Sequence, residues 1–329
     1  MDSPASSPAP VLQVSDLKVH FPVRNGLLGR ISGFVRAVDG VSFALHQGET
    51  LGLVGESGCG KSTLARALLH LTRPTGGKVE LGGVDLGLLS EAALRKQRLR
   101  MQLVFQNPHS SLNPRLTIEE IVSGAARYHG RISHSESRTF ATRLLEQVGL
   151  RTEHLNRFPH EFSGGQRQRI SIARALALQP EILVCDEAVS ALDVSIQAQI
   201  LNLLLELQQR KGLSYLFISH DLAVIQHIAD RVAVMYLGQF AEVAPREKLF
   251  QSPTHPYTQA LLRAIPSDHP GKRRPLKERL LIGDVPSPTE VRQGCAFFER
   301  CPHASVECRQ RRPLLRKVQP EQWVACHKV

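Results

Sequence analysis

From Val11 to Phe21 the apolar residues Leu12, Val14, Leu17, Val19 and Phe21 alternate with polar ones, the pattern of an edge strand. Shorter, almost wholly apolar runs follow at Glu49–Val54, Met101–Phe105, Ile182–Cys185, Tyr215–Ser219 and Arg231–Met235. Each has the length of a buried strand. Val35–Leu45 has strand character, Arg24–Gly33 reads as a Gly/Arg-rich loop, and Gly76–Leu89 has the Gly-Gly and Val-x-Leu pattern of a hairpin. Between the strands the period becomes helical, at Leu64–Leu69, at the basic Glu91–Arg100, from Leu116 to about Phe158, at Arg167–Leu178 and at Val194–Arg210. In the long helical stretch, Phe140, Leu144, Leu145 and Val148 share one face. Strands alternating with helices predict an α/β fold in which the helical stretch hangs on a core sheet.

With 329 residues and 42% hydrophobic content, the chain can hold one large domain plus an appendage, or two ordinary domains. No apolar run approaches the roughly 20 residues that cross a bilayer. Residues 1–10, rich in Ser, Pro and Ala, are expected to be a disordered tail and not a signal peptide, which predicts a cytoplasmic chain reaching membranes only through partners. The net charge of +11 is scattered over Arg95–Arg100, Lys272–Arg274 and Arg309–Lys317 without interleaved aromatics, so it predicts a solvated basic surface and no nucleic acid.

The chemistry centres on Gly55-Glu56-Ser57-Gly58-Cys59-Gly60-Lys61-Ser62-Thr63, which fits G-x-x-x-x-G-K-[ST] between a strand and a helix. Glycines let backbone N–H groups converge on phosphate oxygens, and the helix opening at Lys61 adds the positive end of its dipole. Lys61 would reach the β- and γ-phosphates, and the Ser62 hydroxyl would take a place on Mg²⁺. Gln106 ends its strand, where a carboxamide can serve Mg²⁺ or attacking water. Asp186 and Glu187 end the most apolar strand, the first suited to Mg²⁺ and the second to polarising water. His220 ends the next strand, suited to contact the γ-phosphate. Ser163-Gly164-Gly165-Gln166 is a second turn opening a helix, and Ser190-Ala191-Leu192-Asp193 a further tight turn. Phe21 could stack on an adenine ring or serve as a hydrophobic anchor.

In this order the motifs resemble those of ABC transporter ATPase subunits, over roughly Val11 to Val243. The resemblance implies a P-loop ABC-type nucleotide-binding domain with a mixed sheet core, an antiparallel β part and a helical insertion. It assigns Phe21 to adenine stacking, the Ser163-Gly164-Gly165-Gln166 signature to the ATP held by a facing subunit, and Asp193 to nucleotide binding. Phe105-Gln106-Asn107-Pro108…Ser111-Leu112-Asn113-Pro114-Arg115, Phe158–Arg169, Tyr236-Leu237-Gly238, Thr254-His255-Pro256-Tyr257-Thr258 and Gly283–Pro288 resemble the dipeptide/oligopeptide (and nickel) importer branch. Phe162 stands where most ABC proteins carry Leu, as is common in this branch. The chain is closer to that branch's F-type ATPase, which pairs with a D-type ATPase and two membrane permeases, fed by a peptide-binding protein, at the cytoplasmic face of the cell membrane.

These readings divide the chain into a tail (1–10), the nucleotide-binding domain (11–250, with a helical subdomain at about 107–178) and a C-terminal extension (251–329). With one P-loop and one signature turn, the chain would need a partner to complete each ATP site. The alternatives are an importer ATPase for nickel or another solute, and a soluble ABC ATPase acting on nucleic acid or ribosomes. The latter generally carries two cassettes or long coiled-coil insertions, which this chain lacks.

Two of the six cysteines, Cys59 and Cys185, lie inside the nucleotide motifs. The other four, Cys295-x₅-Cys301-Pro302-x₅-Cys308-x₁₇-Cys326, crowd the C-terminal end. Four thiolates so spaced predict a [4Fe–4S] cluster, with zinc (His303 and His327 as alternate ligands) and free thiols or disulfides as the other readings.

Overall fold

The structure, a computed structural model, describes residues 9–25, 30–107, 111–264, 286 and 293–329. Most of the expected tail, Pro108, the Lys272–Arg274 cluster and all of Gly283–Pro288 except Pro286 lie outside the described residues. The chain divides into two compact units.

One unit comprises His46–Glu49 and Leu88–Ile218. Its strands β6 (Met101–Val104), β7 (Ile182–Asp186) and β8 (Ser214–Ile218) pair in parallel, Val104 opposite Cys185 and Asp186 opposite Ile218. Every residue of β7 and β8 is buried, as expected of strands covered on both faces. Arg100 closes the entry to β6 with a two-pronged ion pair to Glu181, at 2.7 and 2.8 Å. After α2 (Glu91–Gln97), the expected helical stretch is two helices, α3 (Ile118–Tyr128) and α4 (Ser137–Gln147), joined by a turn. Thr117 opens α3 with a capping box, its hydroxyl accepting from Glu120 N–H while the Glu120 carboxylate accepts from Thr117 N–H.

The helix after the Ser-Gly-Gly turn, α5, runs from Gly164 to Leu176, not from Arg167 to Leu178. It begins three residues early because Ser163 and Gln166 form another capping box, which makes Ser163 the cap and both glycines the first helical turn. A Cβ on Gly165 would sit 2.4 Å from Ile196 Cγ2, so this glycine lets α5 lie close to α6 (Val194–Lys211).

The other unit comprises Leu12–Leu45, Thr50–Gly87 and Ser219–Val329. Its antiparallel sheet runs β2 (Arg30–Leu45), β1 (Leu12–Asn25), β4 (Gly76–Leu81), β5 (Val84–Asp85). The loop expected at Arg24–Gly33 is strand on both arms, Arg24 pairing with Ile31 and Val23 with Gly33. Cross-strand pairing satisfies the backbone there whatever the side-chain composition. The second sheet of this unit runs β11 (Arg316–Gln319), β12 (Gln322–Val324), β10 (Gln239–Pro245), β9 (Arg231–Tyr236), β3 (Thr50–Val54), with β3 parallel to β9 and the rest antiparallel. Residues of the C-terminal extension thus prolong the sheet that carries the phosphate strand, Val324 opposite Glu242 and Trp323 opposite Val243. The apolar pattern before residue 239 gives no sign of this. Among the described residues no helix is long and apolar enough to cross a membrane.

Candidate nucleotide site

Strand β3 ends at Val54 and helix α1 begins at Lys61, continuing to Leu68, so Gly55–Gly60 is the whole connection. Gly60 takes the N-cap position with φ +108° and no side-chain cap, which leaves the helix N-terminus open to an anion. A Cβ on Gly60 would lie 1.9 Å from the Ala37 carbonyl oxygen, so no other residue fits without displacing the backbone. Lys61 is buried, its Nζ donating to the carbonyls of Gly55 (2.7 Å) and Glu56 (3.0 Å) and lying 3.8 Å from Cys59 Sγ. Burial raises the pKa of the Cys59 thiol, against the pull of Lys61. Ser57, Gly58 and Ser62 are exposed, and Thr63 is half-buried.

Glu56 is held through three groups. Its N–H donates to the Tyr257 hydroxyl (3.0 Å), its carbonyl accepts from Lys61, and its carboxylate takes both arms of Arg300 (2.8 and 3.0 Å). The Arg300 guanidinium lies over the rings of Tyr236 and Phe297. Burial alone would weaken its hold on its proton, but the paired Glu56 carboxylate and the Tyr236 hydroxyl together offset this and raise its pKa. A second arginine of the extension, Arg312, pairs with buried Asp39 at 2.9 Å; His20 also contacts Asp39, at 2.9 Å. Burial works to raise the Asp39 pKa, and Arg312 and His20 together bring it below the ordinary carboxylate value. Phe21 is 42% exposed on β1, so it is no core anchor and offers its face to solvent. His220 is exposed, immediately before the Asp221 cap of α7 (Leu222–Ile228).

In the other unit, Asp186 is buried at the end of β7 and Glu187 follows it with φ +50°. This left-handed backbone costs a non-glycine residue about 1 kcal/mol. Its local frame is fixed by Glu187 N–H to the Ile218 carbonyl (3.0 Å) and by Ser190 Oγ–H to the Glu187 carbonyl (3.0 Å). The Gln106 amide donates to the Glu187 carboxylate at 2.8 Å, so two candidates spaced 81 residues apart meet directly. Such strain persists only where the surrounding contacts hold it, as the Ile218 and Ser190 hydrogen bonds do here. Ser163 and Asp193 are exposed at the starts of α5 and α6, with Gly164 and Gln166 half-buried and Gly165 buried.

In the C-terminal extension, the thiols of Cys295, Cys301 and Cys326 all have raised pKa values. Burial is the main cause in each, and charge repulsion adds to it: Cys295 feels the other three, Cys301 feels Cys326 and Cys308, and Cys326 feels Cys308. Cys295 is pushed up to about 11. The four sulfurs therefore share one neighbourhood, with Cys295 N–H bonded to the Cys308 carbonyl at 2.7 Å and all four cysteines free of disulfides. The donor set suits a soft metal centre, but among the described residues no three His, Cys, Asp or Glu groups are placed to hold an ion. Sequence reading named Tyr257 only within the Thr254–Thr258 run, without a role, and missed Arg300; their contacts with Glu56 bridge 201 and 244 residues, a pairing no local pattern announces.

Family models match the ABC transporter description over residues 38–190 and the oligopeptide/dipeptide transporter C-terminal region over residues 241–308. The oligopeptide transport ATP-binding protein AppF of Bacillus subtilis is 50% identical over 326 residues, covering 98% of each chain. The dipeptide transport ATP-binding protein DppF of Escherichia coli is also 50% identical, over 97% of this chain and 95% of its own. Among solved structures, the dimeric post-hydrolysis state of the ATP-binding cassette MJ0796, bound to ADP and Pi, is 28% identical with a TM-score of 0.62, over 71% of this chain and 98% of that one. With its phosphate loop, strained acidic strand end and capped signature turn, this chain belongs to the ATP-binding subunits of ABC transporters, in the branch that carries the oligopeptide/dipeptide C-terminal region.

Proposed function

We propose that this chain is the ATP-hydrolysing motor subunit of a membrane ABC importer for di- or oligopeptides. The observation that carries this reading is identity of about 50%, over nearly the whole length, to peptide-transport ATP-binding proteins. ATP would sit with its phosphates in the Gly55–Thr63 loop, its charge met by Lys61 and the open end of α1, and its adenine against Phe21. By the family resemblance, Ser62, Asp186 and Gln106 would supply hydroxyl, carboxylate and carboxamide oxygens, a hard donor set suited to Mg²⁺. The metal, when bound, offsets charge on the β- and γ-oxygens. Glu187 orients and deprotonates the attacking water, Gln106 holds the Glu187 carboxylate in place, and His220 contacts the γ-phosphate.

The exposed Ser163–Gln166 turn and Asp193 would grip the ATP of a facing D-type ATPase subunit, so that nucleotide bridges two cassettes and hydrolysis releases them. The domain division at residues 11–250 and 251–329 belongs to the same reading. Two permeases, a peptide-binding protein and a position at the cytoplasmic face complete the assembly. Co-purification of the native complex tests it: permeases and a second ATPase are expected, and ribosomes or nucleic acid in their place would overturn the reading.

We further propose that Cys295, Cys301, Cys308 and Cys326 hold a [4Fe–4S] cluster, on the strength of their number and their spacing in the sequence. Anaerobically purified protein should contain about four iron and four sulfide per chain; zinc without sulfide would replace this with a structural zinc site.

A further inference from the structure

The extension holds the first residue of the phosphate loop that carries a side chain. Glu56 belongs to the loop proposed to cradle the phosphates of ATP, and an unpaired carboxylate so close to them would repel them. Arg300 closes on that carboxylate with both arms, at 2.8 and 3.0 Å, and is itself 9% exposed. Arg300 is oriented in turn: Tyr236 and Phe297 flank the guanidinium, and Tyr236 Oη lies 3.4 Å from one of its nitrogens. Tyr257 is wholly buried, and its ring packs on Tyr236 and Phe297 with centroids 4.6 and 5.4 Å apart. Its hydroxyl takes the Glu56 N–H and so sets the direction of the first peptide of the loop.

We infer that Arg300 and Tyr257 are positioning residues for nucleotide binding: Arg300 neutralises Glu56 and draws it aside, Tyr257 fixes its peptide, and Lys61 is left as the uncompensated charge for the phosphates. A fork-shaped guanidinium suits this task because it binds both carboxylate oxygens in one plane. The C-terminal extension is thereby part of the nucleotide site's machinery, and the affinity of the loop depends on a residue that directly precedes Cys301.

The inference rests on the ATP site proposed at the phosphate loop, and the test separates the two. MgATP binding by the purified full-length chain is measured for the wild type, K61A, R300M, R300K and the double variant E56Q/R300M. K61A should abolish measurable binding. R300M should raise Kd about tenfold, the order of one charge repulsion across a few ångströms in a water-like dielectric, and in the assembled transporter the loss should fall on KM far more than on kcat. E56Q/R300M should return Kd to within about threefold of the wild type, because the repelling carboxylate has gone with its partner. R300K, which keeps the charge but loses the fork, should lie between wild type and R300M; it also serves if R300M does not fold.

A merely structural contact gives another pattern, in which Tm falls in both the single and double variants while Kd stays put. That pattern overturns the inference, as does a double variant as weak as R300M, or R300K with wild-type Kd. Should K61A bind MgATP normally, the phosphate-loop reading falls and this inference with it. Lost binding in K61A beside an unaltered R300M removes the inference alone.

Discussion

Glu56 and Glu187 are both glutamates in nucleotide motifs, yet the fold treats them in opposite ways. Glu56 is fixed through its N–H, its carbonyl and its carboxylate, in a loop whose tightest point, Gly60, has φ +108° and no room for a side chain. Glu187 is half-buried at a strand end, in a left-handed backbone that disfavours any side chain, with its carboxylate held by the exposed Gln106. The first arrangement makes a rigid cradle whose groups are paired before a nucleotide arrives. The second stores strain at the group proposed above to act on a water molecule. Binding and chemistry thus draw on different physical resources, backbone complementarity in one and a costly side-chain placement in the other.

Substitutions at the two places should therefore separate binding, hydrolysis and stability. The largest effect is expected from Glu187→Gln, which removes the base: steady-state ATP hydrolysis by the assembled transporter should fall about a thousandfold while MgATP affinity is kept. Turnover near the wild-type rate would remove Glu187 from the chemistry. Gly60→Ala should do the reverse, abolishing MgATP binding and lowering unfolding stability by about 3 kcal/mol, since both its φ and the 1.9 Å approach to Ala37 oppose a methyl group. A variant with normal Tm and affinity would show that the cradle is not rigid.

Acid should strike the phosphate-loop unit through His255. Its Nδ1 accepts the Tyr257 N–H at 3.0 Å, its other face bonds the Ala325 backbone, and burial lowers its pKa to about 4 from an ordinary 6.5. The unfolded chain therefore takes up the proton first. Stability contributed here is complete above about pH 6.5 and is lost as pH falls toward 4, at about 1.4 kcal/mol per pH unit. Hydrogen exchange at pH 7 and pH 5 should find the loss at Tyr257 and its neighbours; uniform protection at both would exclude His255 as the cause. The smallest effect is the sharpest in sign: Glu187→Gly should raise unfolding stability by about 1 kcal/mol as the left-handed strain is relieved, though hydrolysis is gone. A fall in Tm would mean that the Gln106 contact outweighs the backbone cost.

Much of the candidate site could be read from the chain because it is built from contiguous residues. The phosphate loop, the Asp186-Glu187 strand end and the Ser163 turn each carry their geometry locally, in glycines, caps and apolar runs. The meeting of Gln106 with Glu187 could be anticipated only in role, because it depends on β6 lying beside β7. The early start of α5 was legible in principle from Ser163 and Gln166, three residues apart, since a capping box needs no tertiary context. The strand pairing within Arg24–Gly33 was not, because a partner strand overrides the preference of Gly and Arg for loops.

By itself the sequence determined the α/β alternation, the order of the nucleotide motifs and the family, since each rests on short-range spacing that chain stereochemistry converts directly into turns, strands and helix starts. Only the tertiary structure decided that the extension adds β11 and β12 to the sheet of the phosphate strand, that four cysteines share a neighbourhood and that Arg300 closes on Glu56. Those outcomes depend on burial, pairing and charge compensation between residues up to 244 positions apart, and such contacts exist only after the chain has closed upon itself.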